Sequence, residues 1–171
     1  MLYLANLQSD FMGINVLKVG DTAPKFCLQS SQGEDTCLED YMGKWIVLYF
    51  YPKDGSKGCT LEALAFSASK TEFEEKGAVI LGVSPDSMKS HTKFIEKNNL
   101  GIILLSDPEH NVLQEYGVWQ LKKMYGREYY GVVRSTFIIN PEGKIAHSWI
   151  KVRVKGHVEA VKEKLVELQS A

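Results

Sequence analysis

Cys59 lies in the segment Tyr49-Phe50-Tyr51-Pro52-Lys53-Asp54-Gly55-Ser56-Lys57-Gly58-Cys59-Thr60-Leu61-Glu62, whose residue types suit a reactive thiol. The residues from Trp45 to Tyr51 are β-branched, aromatic or otherwise apolar and read as a buried strand, whereas Leu61, Leu64, Ala65 and Ala68 recur at helical spacing. Cys59 therefore falls at an expected helix N-terminus. There the unpaired backbone N–H groups and the helix dipole favour a thiolate over a thiol, and the thiolate is the nucleophile. The opposing reading is an inert, buried small hydrophobe, the usual fate of a lone cysteine. Lys57, Gly55 and Gly58 beside it, and Pro52, which has no N–H to extend a sheet, favour a loop mouth instead.

A thiolate needs a cation near it. Arginine occurs at Arg127, Arg134 and Arg153, and of these Arg134 alone lies in a strongly apolar stretch, Val132 to Ile139, where an unpaired charge would be costly. If that stretch is one strand, Arg134 shares a face with Val132, Thr136 and Ile138. The alternative is an edge-strand arginine whose head reaches water. Ser56 suits a turn or a helix cap, and Glu62 is an acid in a first helical turn, which the dipole favours by itself.

The elements that must hold these residues alternate. Ala23 to Gln29, the turn Ser31 to Asp35 and the segment from Thr36 to Tyr41 suggest short strands or a hairpin. The strand from Trp45 and the Cys59 loop come next, then a helix to about Lys76, closed by Gly77. A strand from Ala78 to Val83 is ended by Ser84-Pro85-Asp86, a helix runs from Ser87 to Asn98, and Ile102 to Leu105 is a third strand. A short helix from Pro108 to Tyr116 and a loop from Gly117 to Tyr130 lead to the Arg134 strand. Asn140-Pro141-Glu142-Gly143 turns that strand back into Ile145 to Val152 as a hairpin. The last helix, His157 to Leu168, carries Val158, Val161, Leu165 and Leu168 on one stripe. Parallel strands followed by a hairpin and a closing helix predict an α/β fold, a mixed sheet with helices on both faces as in thioredoxin-like proteins. In such sheets the site lies beyond the carboxyl ends of the strands, where Pro52 to Cys59 falls.

The chain has 171 residues, enough for one domain without staples, with the folded part expected from residue 15 and residues 1–14 as a short extension for which disorder is one option. The 20 basic and 21 acidic residues show no long run of one sign, so neither nucleic acid nor a membrane surface is an expected partner. No apolar run approaches a membrane span. The cysteines Cys27, Cys37 and Cys59 form no C-x-x-C pair, which suggests neither a disulfide framework nor a zinc site and points to a reducing, cytoplasmic setting. The histidines, His91, His110, His147 and His157, show no metal-ligand spacing, and no phosphate cradle or dinucleotide fingerprint follows a strand. No cofactor is expected.

Pro52-x-x-x-Ser56-x-x-Cys59 resembles the P-x-x-x-T/S-x-x-C signature of peroxiredoxins, and YFYPKDGSKGCTLE is similar to the subgroup called peroxiredoxin Q or bacterioferritin-comigratory protein. The likeness runs from about Val19 and includes Gly82-Val83-Ser84-Pro85-Asp86, Tyr116-Gly117-Val118-Trp119 and Arg134-Ser135-Thr136-Phe137. It implies a thiol-dependent peroxidase acting on hydrogen peroxide and alkyl hydroperoxides. Cys59 would attack a peroxide oxygen and become a sulfenic acid. By the same resemblance Arg134 would favour the thiolate and bind peroxide, Ser56 would align the peroxide, Pro52 would shield the sulfur, and Glu62 would orient the arginine. The implied partners are a peroxide and a thioredoxin-like protein or small thiol, with the chain a monomer or weak homodimer.

Two departures bear on the cycle. Many members of the subgroup carry a resolving cysteine five residues after the first, where this chain has Leu64, which its helical stripe assigns to core packing. Lys57 replaces a frequent proline and adds positive charge near the sulfur. Cys27 and Cys37 remain as candidate resolving thiols, although a one-cysteine cycle closed by an external thiol is the default expectation. A redox-sensing or protein-binding module without efficient turnover is the alternative function. A cysteine hydrolase lacks a partner arrangement for Cys59.

Overall fold

The computed structural model describes residues 17–171, so the extension expected at 1–14 lies outside the described residues. Its centre is β3 (Trp45–Phe50), a continuous apolar run of the kind a strand shows when both of its faces are covered. β3 pairs in parallel with β4 (Ala78–Ser84), and β4 in parallel with β5 (Ile103–Ser106). On the other side of β3 lies β8 (Ser135–Ile139), antiparallel, followed by β9 (Ile145–Ile150). The hairpin of β1 (Cys27–Ser30) and β2 (Thr36–Cys37) adds to β5, giving the order β2-β1-β5-β4-β3-β8-β9. This is the expected mixed, thioredoxin-like sheet.

Alternation along β3 divides the core. Ile46, Leu48 and Phe50 face a cluster with Leu38, Leu113 and Phe137, where α4 (Asn111–Glu115) packs. Val47, Tyr49 and Tyr51 face the opposite cluster, built from α1 (Lys57–Ala68), α2 (Lys70–Glu75), α3 (Met88–Asn98) and α5 (His157–Gln169). The α5 stripe is as expected, with Val158, Val161 and Leu165 buried. Tyr49 lies across Gly82 of β4, where any Cβ would stand 2.8 Å from the ring, so this central position admits only glycine.

Four expectations are corrected. The buried face of α1 is Cys59, Glu62, Ala63 and Phe66, while Leu61 and Leu64 are 51% and 40% exposed. Of the apolar residues at helical spacing, Leu61, Leu64 and Ala68 lie on the outer face, and Ala65 packs partly against the core. Helix α1 is rotated instead to bring Cys59 and Glu62 inward, so Leu64 is not core packing. The stretch from Gly117 to Tyr130 is largely a hairpin, β6 (Trp119–Met124) against β7 (Arg127–Val132). Its turn is Tyr125-Gly126, both at positive φ, as a two-residue hairpin connection requires. The strand expected from Val132 to Ile139 is broken, and Val133 and Arg134 lie between β7 and β8.

The cysteines, too, differ from expectation. Cys27 and Cys37 are directly opposed in the β1–β2 register and joined by a disulfide, leaving Cys59 as the free thiol. The turn between the two strands folds them onto each other, a pairing that spacing in the chain does not reveal. The inference of a reducing compartment from unpaired cysteines loses its premise. Neither Cys27 nor Cys37 is bonded to Cys59 in this structure.

Candidate active site

The catalytic loop leaves the carboxyl end of β3, where Tyr51 still donates its N–H to the Val83 carbonyl, and returns as α1 at Lys57. Pro52 stands at the bend directly after Tyr51, half-buried and unable to extend the ladder. Ser56 occupies the N-cap of α1. Its hydroxyl donates to the Lys53 carbonyl (3.1 Å), and its own carbonyl accepts from the Thr60 N–H (2.9 Å) and hydroxyl (2.8 Å). Cys59 is thus in the first turn, as expected, but its side chain points inward and only 1% of its surface is exposed. The backbone N–H groups of that turn and the dipole favour negative charge there.

Arg134 arrives from the break between β7 and β8. Its Nη2 donates to Cys59 Sγ (3.4 Å) and its Nη1 to Glu62 Oε1 (2.7 Å), so one guanidinium spans two consecutive inward positions of α1. Its backbone is held on both sides: Val133 donates to the Val118 carbonyl, and the Arg134 carbonyl accepts from Val152. The head of the side chain lies against Gly58, where a Cβ would come within 3.0 Å of Nη2. The absence of a side chain at residue 58 is what gives the guanidinium access to the sulfur.

Glu62 is fully buried and is pushed up from 4.5 to about 7, because burial penalises its charge more than the attraction and hydrogen bond of Arg134 favour it. Its Oε2 and the hydroxyl of Tyr49 have no hydrogen-bond partner. The Tyr49 phenol is held well above its usual range, by burial first and then by Glu62 and Cys59, so it stays a neutral O–H donor beside the site. The Glu62 carboxyl and the Tyr49 phenol are thus buried polar groups near the thiol whose hydrogen-bonding capacity is not fully used among the described residues.

Two further groups escaped the sequence reading. Lys122 of β6 donates to the Val132 carbonyl (2.8 Å), and its ammonium is lowered from its usual range by burial and then by Arg134, with Cys59 opposing. Its stem passes over Gly131, where a Cβ would be 3.1 Å from Lys122 Cδ. Residues 117–130 read as a loop, so nothing in the chain placed this lysine beside the arginine. His157 Nε2 is 2.8 Å from Thr136 Oγ1, and burial followed by repulsion from Arg134 lowers the imidazole to about 4, which keeps it neutral.

A buried clamp holds the outer part of the loop. Tyr51 donates to Asp54 Oδ1 (2.6 Å), Ser90 donates to Asp54 Oδ2 (2.8 Å), and His91 Nδ1 lies 2.7 Å from the same oxygen. Nε2 of His91 carries a hydrogen, since its partner, the Leu105 carbonyl (2.9 Å), only accepts. Burial alone would raise the Asp54 carboxyl, but His91, Tyr51 and Ser90 hold it below its usual range. Asp86 Oδ2 accepts from the Asp54 N–H and from Ser84. Asp54, Asp86 and His91 therefore converge closely enough to hold a cation, yet their inward atoms already serve protein donors.

The comparisons with known proteins agree with this geometry. The AhpC/TSA family model matches residues 19–148. Peroxiredoxin Bcp of Bacillus subtilis is 49% identical over 152 residues, covering 89% of this chain and 97% of the relative, and Peroxiredoxin Bcp of Escherichia coli is 38% identical over 86% of this chain and 95% of the relative. Among solved structures, Xanthomonas campestris peroxiredoxin Q superposes with a TM-score of 0.81 at 42% identity, over 90% of this chain and 97% of that one. The X. campestris bacterioferritin comigratory protein, studied for its alkyl peroxide reduction activity, superposes with the same score and identity over 90% and 98%. With the match running from ahead of β1 into β9 and taking in the thiol, the loop that leads to it and its arginine, the chain belongs to the AhpC/TSA family, in its peroxiredoxin Q and Bcp branch, and is a thiol-dependent peroxidase.

Proposed function

We propose that this peroxidase reduces hydrogen peroxide and alkyl hydroperoxides at Cys59, with Arg134, Ser56, Pro52 and Glu62 in the roles the family pattern implies. The observation that carries the assignment is the guanidinium of Arg134 shared between Cys59 Sγ and Glu62. A cation that donates to sulfur stabilises the thiolate, and Glu62 fixes the plane of the fork so that Nη2 keeps its aim. The thiolate attacks the terminal peroxide oxygen. A sulfur–oxygen bond forms as the oxygen–oxygen bond breaks, giving Cys59 sulfenic acid and an alkoxide or hydroxide that takes a proton from water. Donors beside the thiolate meet the negative charge developing on the leaving oxygen.

Ser56 lies one turn ahead of Cys59, at the N-cap of α1 with its hydroxyl on the Lys53 carbonyl, and this place next to the thiol supports its role in aligning the peroxide. Pro52 shapes the mouth without acid–base chemistry of its own. A thiol, either a thioredoxin-like dithiol protein or a small molecule, then condenses with the sulfenic acid and releases water. A second thiol restores Cys59. We place the reaction in the cytoplasm, where thiol reductants are supplied, and take the protein as a monomer or weak homodimer; among the described residues no helix is long and apolar enough to cross a membrane.

Peroxide consumption with a thiol reductant tests this function. Turnover that disappears in Cys59→Ser, with sulfenic acid forming at Cys59 within seconds of stoichiometric peroxide, is the expected result. Turnover retained in Cys59→Ser would overturn the assignment. Stoichiometric oxidation with no reductant-driven turnover would favour the redox-sensing reading, which Leu64 in place of the usual resolving thiol makes worth separating.

A further inference from the structure

Cys27 and Cys37 form a disulfide that the peroxidase chemistry described above does not use. They are joined across the β1–β2 hairpin at the open edge of the sheet, with Cys27 exposed and bordering a groove of about 420 Å³ with Leu28, Asp35 and Pro108. The register shows which end of the sheet they occupy. Gln29 is opposite Ser106 and Ser106 is opposite Ser84, one residue past the Val83 that receives the Tyr51 N–H. Because β1 runs antiparallel to β5, Cys27 lies beyond that row on the carboxyl side, the same side from which the Cys59 loop departs. The fold therefore presents two thiols that can form a disulfide with each other at the same end of the molecule as a peroxidatic thiol that has none.

They do not serve the Cys59 of their own chain. β1 is separated from β3, the strand whose carboxyl end leads into the Cys59 loop, by two hydrogen-bonded strands, three spacings or about 14 Å, whereas a disulfide needs sulfurs in contact. The strands between them, β4 and β5, are largely buried and hydrogen-bonded on both edges, and cannot close that gap. A second copy can, since the hairpin is an outer edge and its exposed sulfur is free to approach another molecule.

We infer that the reduced Cys27/Cys37 pair of one molecule resolves the Cys59 sulfenic acid of another, an inference that rests on the peroxidase reading above. Cys27, the more exposed of the two, attacks the sulfenic sulfur; a Cys59–Cys27 disulfide forms and the hydroxyl leaves as water. Cys37 then attacks Cys27, so that the Cys27–Cys37 disulfide forms and Cys59 leaves as a thiolate. The two electrons reach the peroxide oxygen from the hairpin dithiol, which an external dithiol or small thiol reduces again. Cys59 leaves its buried position for this step, as it must for any resolving thiol, and the outward Leu61 and Leu64 mean that opening the first turn of α1 exposes little new apolar surface on that face.

Two populations of variants test the transfer. Cys27→Ser/Cys37→Ser protein is oxidised with one equivalent of hydrogen peroxide, cleared of excess peroxide, and followed by intact mass for its sulfenic acid. It is then mixed with reduced, desalted Cys59→Ser protein, both samples being checked for folding by circular dichroism. The expected result is loss of the sulfenic oxygen at least tenfold faster than in the oxidised protein alone, together with loss of two hydrogens from the Cys59→Ser partner. With Cys37→Ser/Cys59→Ser as partner, a reducible covalent dimer joined through Cys27 and Cys59 should accumulate. Sulfenic acid that forms and then decays no faster with the partner than without it overturns the inference while leaving the peroxidase intact. Sulfenic acid that never forms overturns both.

Discussion

Arg134 donates to the sulfur of Cys59 although 75 residues separate them, and with its other nitrogen it holds Glu62 of the same helix. Replacing it with lysine keeps the charge and loses the fork. Arg134→Lys should lower kcat/KM for peroxide by about 10²- to 10³-fold, the scale on which removing one donor from a developing oxyanion is felt. Stopped-flow measurement of Cys59 oxidation checks this, and a lysine variant within a factor of two of the wild type would show that the charge alone suffices.

Gly58 is expected to matter to catalysis more than to stability. Gly58→Ala adds a Cβ 3.0 Å from Arg134 Nη2, while alanine in a helix is favoured over glycine by about 1 kcal/mol. The thermal midpoint should hold or rise while the oxidation rate of Cys59 falls about tenfold. A joint loss of both would instead indicate a general packing defect.

Glu62 gives a pH dependence with a definite sign. Its folded value, about 7, is above its ordinary 4.5, so the folded state binds the proton more tightly than the unfolded state. The stability associated with that proton is full below pH 4.5 and is lost as pH rises through 7, a change on the order of 3 kcal/mol. Denaturant titrations of Glu62→Gln should show this slope abolished between pH 4.5 and 7. The same variant should oxidise Cys59 more slowly, because a neutral amide no longer anchors Arg134 as a carboxylate does.

His157 works in the opposite direction. Its folded value near 4 is below the ordinary 6.5, so its contribution is complete above pH 6.5 and is lost as the pH falls through 4. His157→Gln should flatten the acid side of the stability curve over that window. Guanidinium unfolding at pH 4, 5 and 7 measures it; an unchanged acid slope would mean that other groups govern acid unfolding.

Asp54 ties the loop to α3 through Tyr51, Ser90 and His91. Asp54→Asn leaves buried donors facing an amide and should cost about 1–3 kcal/mol in stability. Cys59 should also become more accessible to alkylation, which mass spectrometry after timed iodoacetamide exposure can follow. Equal alkylation rates in variant and wild type would show that the clamp does not reach the thiol.

Much of this was legible along the chain because it depends on local periodicity. The apolar run at Trp45 to Phe50, the Asn140 to Gly143 turn, the closing helix stripe and the placing of Cys59 in a first helical turn all follow from side-chain type at fixed spacing. The β6–β7 hairpin was missed because its strands are mostly exposed and lack an alternating buried face, leaving only the Tyr125-Gly126 turn as a signal.

The residues by themselves determined the thiol, its helix terminus and the family pattern of Pro52, Ser56 and Cys59, since each is set within a turn or two of chain. Tertiary structure decided which face of α1 turns inward, that Arg134 leaves the strand pattern to reach it over Gly58, that Lys122 stands nearby, and that Cys27 meets Cys37. These are contacts between elements distant in sequence. Apolar side chains mark a helix face as buried only where nothing polar has a stronger claim, and in α1 the pairing of the buried Cys59 and Glu62 with one partly buried guanidinium outweighs the burial of two leucines.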